Sequence, residues 1–177
     1  MARIGITIIV DADNIKAHLD SGQLQPGTQA SPTNLGANAA SDNYLYMIAK
    51  RGVVSSGQEG SSELTITANV GDTIQWSMNT LLFNTKYTPF IYDSRFNPSN
   101  GLSPTQYLNI TTTNYIPPGS NPTAPTQKVT SQLYVAMATV VKSGQKIQYV
   151  LSFKLIDNAT GNVIGYFSWD PFIVIPF

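Results

Sequence analysis

Residues 63–76 read ELTITANVGDTIQW, and the reading of this stretch decides the fold. Leu64, Ile66, Ala68 and Val70 alternate with Thr65, Thr67 and Asn69, the period of a half-buried strand. Gly71-Asp72 interrupts the run, after which Ile74 and Trp76 resume the inward face. Two strands across a Gly-Asp turn predict a hairpin with its apolar side in a core.

Working outward, residues 146–156 carry the strongest alternation, with Ile147, Tyr149, Leu151, Phe153 and Leu155 on one face. Together with 132–141 they predict a second hairpin across KSGQK. At the other end RIGITIIV (3–10) is rich in β-branched side chains and reads as a buried strand. Asp11, Asp13 and Asn14 follow it and would cap a short helical turn over 15–19. Further strands are expected at 43–50, 87–92, 105–113, 163–170 and 172–177. Residues 20–42 form a loop of Gly, Pro, Ser, Asn and Gln, long enough to be functional or mobile. Eight or more short strands with at most one short helix predict an all-β chain. The expected architecture is an antiparallel β-sandwich of jelly-roll or Ig-like topology with long loops, one domain over 1–177; a closed barrel is the alternative.

Composition excludes several functions. The 177 residues carry ten acids against ten bases, 11% charged in all. Binding nucleic acid needs a surplus of Lys and Arg, so no such partner is expected. No stretch approaches the roughly 18 apolar residues of a membrane-spanning helix, so no membrane insertion is expected. The start, MARIGITIIVDAD, lacks the features of a signal peptide; the expectation is a cytoplasmic protein, reaching the exterior only by non-classical release.

With no cysteine and one histidine, the chain has no disulfide, thiolate site or Cys nucleophile. A type-1 copper site is excluded too, although ANVGDTIQW is how many cupredoxins enter their copper-binding sandwich. Neither copper, zinc nor an organic cofactor is expected. His18 is the only base for a Ser–His pair, and no GxSxG elbow is present. The only glutamates, Glu59 and Glu63, lie in the turn-like GQEGSSE and suggest no glycosidase pair. The chain is not expected to be an enzyme.

Binding remains. Asp11, Asp13 and Asn14 put two carboxylates and an amide at a strand end, hard oxygen donors of the kind Ca²⁺ takes. No Gly or late Glu follows at EF-hand spacing, and helix capping explains the same residues equally well. Asp42 with Asn43, Asp93 with Asn97 and Asn100, and Asp170 are further oxygen-rich positions. In a sugar site such groups would meet hydroxyls, with Tyr92, Phe96 or Tyr107 covering the apolar face of the ring.

Four segments in series resemble the bacterial inclusion-body proteins of the PixA/AidA-like family: IVDADNI (9–15), NYLYMIAKRG (43–52), LTITANVGDTIQW (64–76) and GYFSWDPFIVI (165–175). The likeness runs from Ile4 to Val174 and is weakest over 86–129. It implies a small bacterial protein that accumulates in intracellular inclusions and has no assigned enzymatic activity. It also implies Ca²⁺-dependent sugar binding, with Asp11, Asp13 and Asn14 as ligand candidates. The leading expectation is therefore a lectin-like protein whose partners are glycans or glycoconjugates, its weak single sites multiplied by oligomerisation. The alternative is a self-assembling structural or storage protein, since near-zero net charge favours dense packing. Exposed edge strands and the apolar FIVIPF make a homodimer the expected state.

Overall fold

The computed structural model describes residues 1–36, 40–55 and 58–177. Positions 37–39 of the long loop and Gly57 of GQEGSSE lie outside the described residues. The first strand, β1 (Arg3–Val10), buries Ile4, Ile6, Ile8 and Val10 and exposes most of the intervening side chains. It pairs antiparallel with β3 (Leu45–Ala49) and parallel with β5 (Thr73–Thr80). β5 then pairs with β8 (Gln127–Thr139), and β8 with β7 (Gln106–Ile116), giving the sheet order β3-β1-β5-β8-β7.

The second sheet is built on β9 (Gln145–Asp157). β6 (Tyr87–Asn97) runs along one edge of it. Along the other lie β10 (Val163–Trp169) and then β11 (Phe172–Ile175), so that these two act as one strand broken at Asp170-Pro171. Outside them, β2 (Thr33–Asn34) and β4 (Thr65–Thr67) add short parallel pairings. The expected β-sandwich is observed, and neither sheet closes into a barrel. Three of its pairings are parallel, in addition to the antiparallel ones.

Both expected hairpins are corrected. β4 belongs to the β9 sheet and β5 to the β1 sheet, so residues 68–72 cross between layers. Likewise β8 and β9 lie in different sheets, and KSGQK is a second crossing. A hairpin and an inter-sheet arch show the same alternation, because in both the apolar face of each strand points to the core. Which strand then supplies the hydrogen bonds is set by the partner, which periodicity does not encode. Val70, expected inward, sits at the first corner and is 52% exposed.

Asp72 holds that corner. Its carboxylate accepts hydrogen bonds from the Ala2 N–H at 2.6 Å and the Asn69 N–H at 3.0 Å. Those bonds, Ala2 first, hold its carboxyl below the usual range. Gly71 turns at φ +89°, a conformation that costs side-chain-bearing residues energy. Between the layers Trp76, Tyr149, Phe153, Phe167 and Trp169 are fully buried. Phe153 packs against Phe167 and Trp169 with ring centres 5.4 and 5.7 Å apart. The Trp169 indole donates to the Met47 sulfur at 3.3 Å, linking β10 to β3 across the core. Each such side chain contributes about 2–3 kcal/mol by leaving water.

The helical turn expected over 15–19 is α1 (Ala12–Asp20), capped by Asp11. Burial of Ala12 as well as Ile15 lets it begin directly after β1. The loop that follows is partly tied down: Leu24 and Leu35 are buried. The Tyr166 N–H donates to Pro26, and the Leu35 N–H to Ser168.

Candidate functional site

The fold brings two of the sequence's polar groups together. Asp11 ends β1, and its carboxylate accepts from the Asn14 N–H at 3.0 Å as the cap of α1. The Asn14 amide donates to the Asn43 carbonyl at 2.8 Å, and the Asp11 N–H donates to the Tyr44 carbonyl at 2.8 Å. Asp42 faces elsewhere, accepting from the Ser62 N–H at 2.6 Å. Asp13 is on the outer side of the helix, paired with Lys86 at 2.8 Å. The Asp13 partner raises the ammonium pKa of Lys86. Asp11 and Asp13 border a small cavity of about 160 Å³ with Thr80, Leu81 and Lys86. Among the described residues no three His, Cys, Asp or Glu side chains cluster as a metal site would require. His18 bonds to the Tyr44 hydroxyl at 2.8 Å rather than to a serine.

The second group lies along β6 and its following loop, and it is spread out. Tyr92 sits at a β-bulge, donates its hydroxyl to the Gln29 carbonyl at 3.0 Å and meets Tyr166 edge-on. Burial raises its phenol pKa. Asp93 pairs with Arg95 at 3.4 Å. Asn97 is opposite Gln148 and precedes a cis Pro98, while Asn100 accepts from the Gln145 amide at 3.1 Å. Phe96 stacks on Trp76 and so belongs to the core side, away from Tyr92. Asp170 is held by Gln148 at 2.5 Å, and burial raises its carboxyl pKa.

The feature that sequence reasoning missed is a projecting ribbon. β7 and β8 pair over eleven positions, from Gln106 opposite Met137 to Ile116 opposite Gln127. β8 meets β5 only over residues 135–139. Residues 127–131 and the β7 segment opposite them therefore extend past the sandwich as two strands, with both outer edges unpaired among the described residues. A ribbon of two strands is marginal in water on its own. Proteins ordinarily blunt such edges with Lys, Pro, Gly bulges or covering loops. Here QYLNITTTNYI has no charge, Pro or Gly, and Lys128 is the single charged residue between 106 and 134.

Its two faces differ. Cross-strand partners share a face. Leu108, Ile110 and Ile116 thus join Val129, Leu133 and the buried Val135 in an apolar stripe that Thr112, Ser131 and Asn114 interrupt. Leu108, Ile116 and Val129 are 41%, 49% and 39% exposed. The other face carries Tyr107, Thr111, Thr113 and Tyr115. At the root of the ribbon Tyr107 stacks on Tyr134, Tyr134 meets Phe90 edge-on, and the Lys154 ammonium lies 4.5 Å from the Phe90 ring. Burial raises the phenol pKa of both tyrosines. Asn109, which separates the strand's apolar side chains, disguises in sequence how much of the segment lies outside the core.

A second apolar projection is the β5–β6 turn, where Leu81 and Leu82 are half exposed and Phe83 almost fully so. Phe83 and Asn84 have φ of 51° and 60°. Reciprocal bonds of 2.8 Å between Thr80 and Asn84 fix that geometry.

A family model described as PixA, inclusion body protein, matches residues 2–175. A crystal structure of an inclusion body protein from Burkholderia cenocepacia J2315 has the same fold, with a TM-score of 0.74. The two sequences are 19% identical, and the match covers 98% of this chain and 95% of that one. No curated protein matches.

Proposed function

The chain belongs to the PixA inclusion body protein family, and from that premise we propose that it is a self-assembling structural protein of inclusions, without catalytic activity. The observation that carries this reading is the projecting, almost uncharged β7–β8 ribbon, whose open edges and apolar stripe are sites for association rather than for a small substrate. Equal numbers of acids and bases leave little long-range repulsion between copies at neutral pH. No helix among the described residues is long and apolar enough to cross a membrane.

The glycan reading has less support from the geometry. Tyr92, Asp93 and Asn100 are engaged with Gln29, Arg95 and Gln145, and Phe96 is turned toward Trp76. The test is to isolate particles from cells producing the chain and dilute them into neutral buffer. Assembly of folded copies predicts that they dissolve without denaturant and show the near-ultraviolet circular dichroism of buried Trp76 and Trp169. Particles that dissolve only in denaturant would be misfolded aggregate, and the reading would fall. A glycan array with Ca²⁺ and with EDTA, on the dissolved protein, tests the competing function.

A further inference from the structure

Resting on the self-assembly reading, we propose that the free edge of β7 pairs antiparallel with β7 of a second copy, about a two-fold axis at Thr111. An antiparallel seam between identical strands must be isologous, each position meeting its own mirror position. Full overlap of Gln106–Ile116 places Gln106 opposite Ile116, Tyr107 opposite Tyr115, and Thr111 opposite itself. The strand is then paired along its whole length of about 37 Å.

This register passes a geometric check that half of all registers fail. Backbone N–H and C=O groups of a strand point to alternate sides with a period of two, and side chains alternate with the same period. In the proposed register odd positions meet odd positions and even meet even. Groups pointing outward on one copy therefore meet groups pointing outward on the other. By the same parity Leu108, Ile110 and Ile116 of both copies fall on one side of the joined sheet, each directly opposite an uncharged polar residue, Asn114, Thr112 or Gln106. Each Tyr107 meets a Tyr115 across the seam, a cross-strand aromatic pair formed twice.

Charge selects the occupant. A basic or acidic partner would find nothing on β7 to pair with, since Gln106–Ile116 carries no charged side chain. An identical strand meets no repulsion there, whereas like charges at the self-opposed centre would oppose it directly. The seam joins the β3-β1-β5-β8-β7 sheets of two copies into one continuous sheet. It leaves the outer edge of β8 over 127–131 open for further contacts.

The absence of cysteine makes the register directly measurable. Thr111 and Thr113 are both exposed, so Thr111→Cys and Thr113→Cys leave the packed interior unchanged. Directly opposed residues have Cα atoms about 4.5–5.5 Å apart, within reach of a disulfide. Thr113 and its symmetry mate are about 14 Å apart, four residues along the strand, which is out of reach. Under mild oxidation Thr111→Cys is expected to form a covalent dimer at least about tenfold faster than Thr113→Cys, and Thr111→Lys to weaken association about tenfold or more. Association of the native chain with equal cross-linking at both positions, and no effect of the lysine, overturns the seam while leaving self-assembly standing. A native chain that is monomeric at every concentration overturns both.

Discussion

Replacing Asp72 with alanine tests whether residues 68–72 are the structural corner described above. The native carboxylate accepts two backbone N–H groups, from Ala2 and Asn69, and so ties the start of β1 to the turn between the sheets. Hydrogen bonds to an ionised group contribute about 1.5–3 kcal/mol each when lost from a buried setting. Ala2 and Asn69 are themselves exposed, so water recovers part of that, and we expect a loss of about 2–3 kcal/mol. For a chain of this size that lowers Tm by about 4–12 °C. Urea unfolding followed by tryptophan fluorescence reads the change as a lower midpoint at unaltered slope. The effect has a pH signature. Because the folded-state pKa lies below the unfolded value of about 3.9, the stabilisation is fully present above that value and is lost as pH falls through the folded pKa. The gap between native and Asp72→Ala proteins should therefore be constant from pH 7 to 5 and close in stronger acid. An unchanged midpoint at pH 7, or a gap that persists unchanged at pH 2, refutes the role given to this carboxylate.

Other outcomes follow from the same structure. Phe153→Ala, which empties the space between Phe167 and Trp169, should cost about 3–5 kcal/mol in the same unfolding assay. Asn84→Ala removes the bond that its side chain accepts from the Thr80 N–H and leaves alanine at φ 60°, so a loss of about 2 kcal/mol is expected, with Asn84→Gly recovering the backbone part. Spectrophotometric titration should find Tyr149 the last of the nine tyrosines to ionise, and only on unfolding, because complete burial raises its phenol far above the normal range. Asp11→Ala should lower stability by about 1 kcal/mol through the lost helix cap, equally in Ca²⁺ and in EDTA; a Ca²⁺-dependent difference would instead favour the cation reading of that carboxylate.

The sequence made burial legible and partnership obscure. Ile147, Tyr149, Leu151, Phe153 and Leu155 are buried as their alternation requires, and so are Leu64, Ile66, Ile74 and Trp76. Residues 63–76 and 132–156 nevertheless pair in neither of the expected hairpins, because an arch between sheets and a hairpin within one demand the same pattern of apolar residues. The hairpin that β8 does form, with β7, spans the Pro-rich IPPGSNPTAP, where no tight two-residue turn announces it. Its isolation is a matter of length: β8 outruns β5, and nothing local in either strand records where the neighbour stops. Among the polar candidates, contact between Asn14 and Asn43 depends on β3 pairing beside β1. Family membership was readable from four dispersed segments, which fall on β1 with α1, on β3, on β4 with β5, and on β10 with β11.

Self-association of the folded chain is most directly tested by sedimentation velocity across a wide concentration range at neutral pH, comparing the native protein with Thr111→Lys. The account predicts a weight-average sedimentation coefficient that rises with concentration for the native protein and far less for the variant. A single monomer-sized boundary for the native protein at every concentration would contradict it.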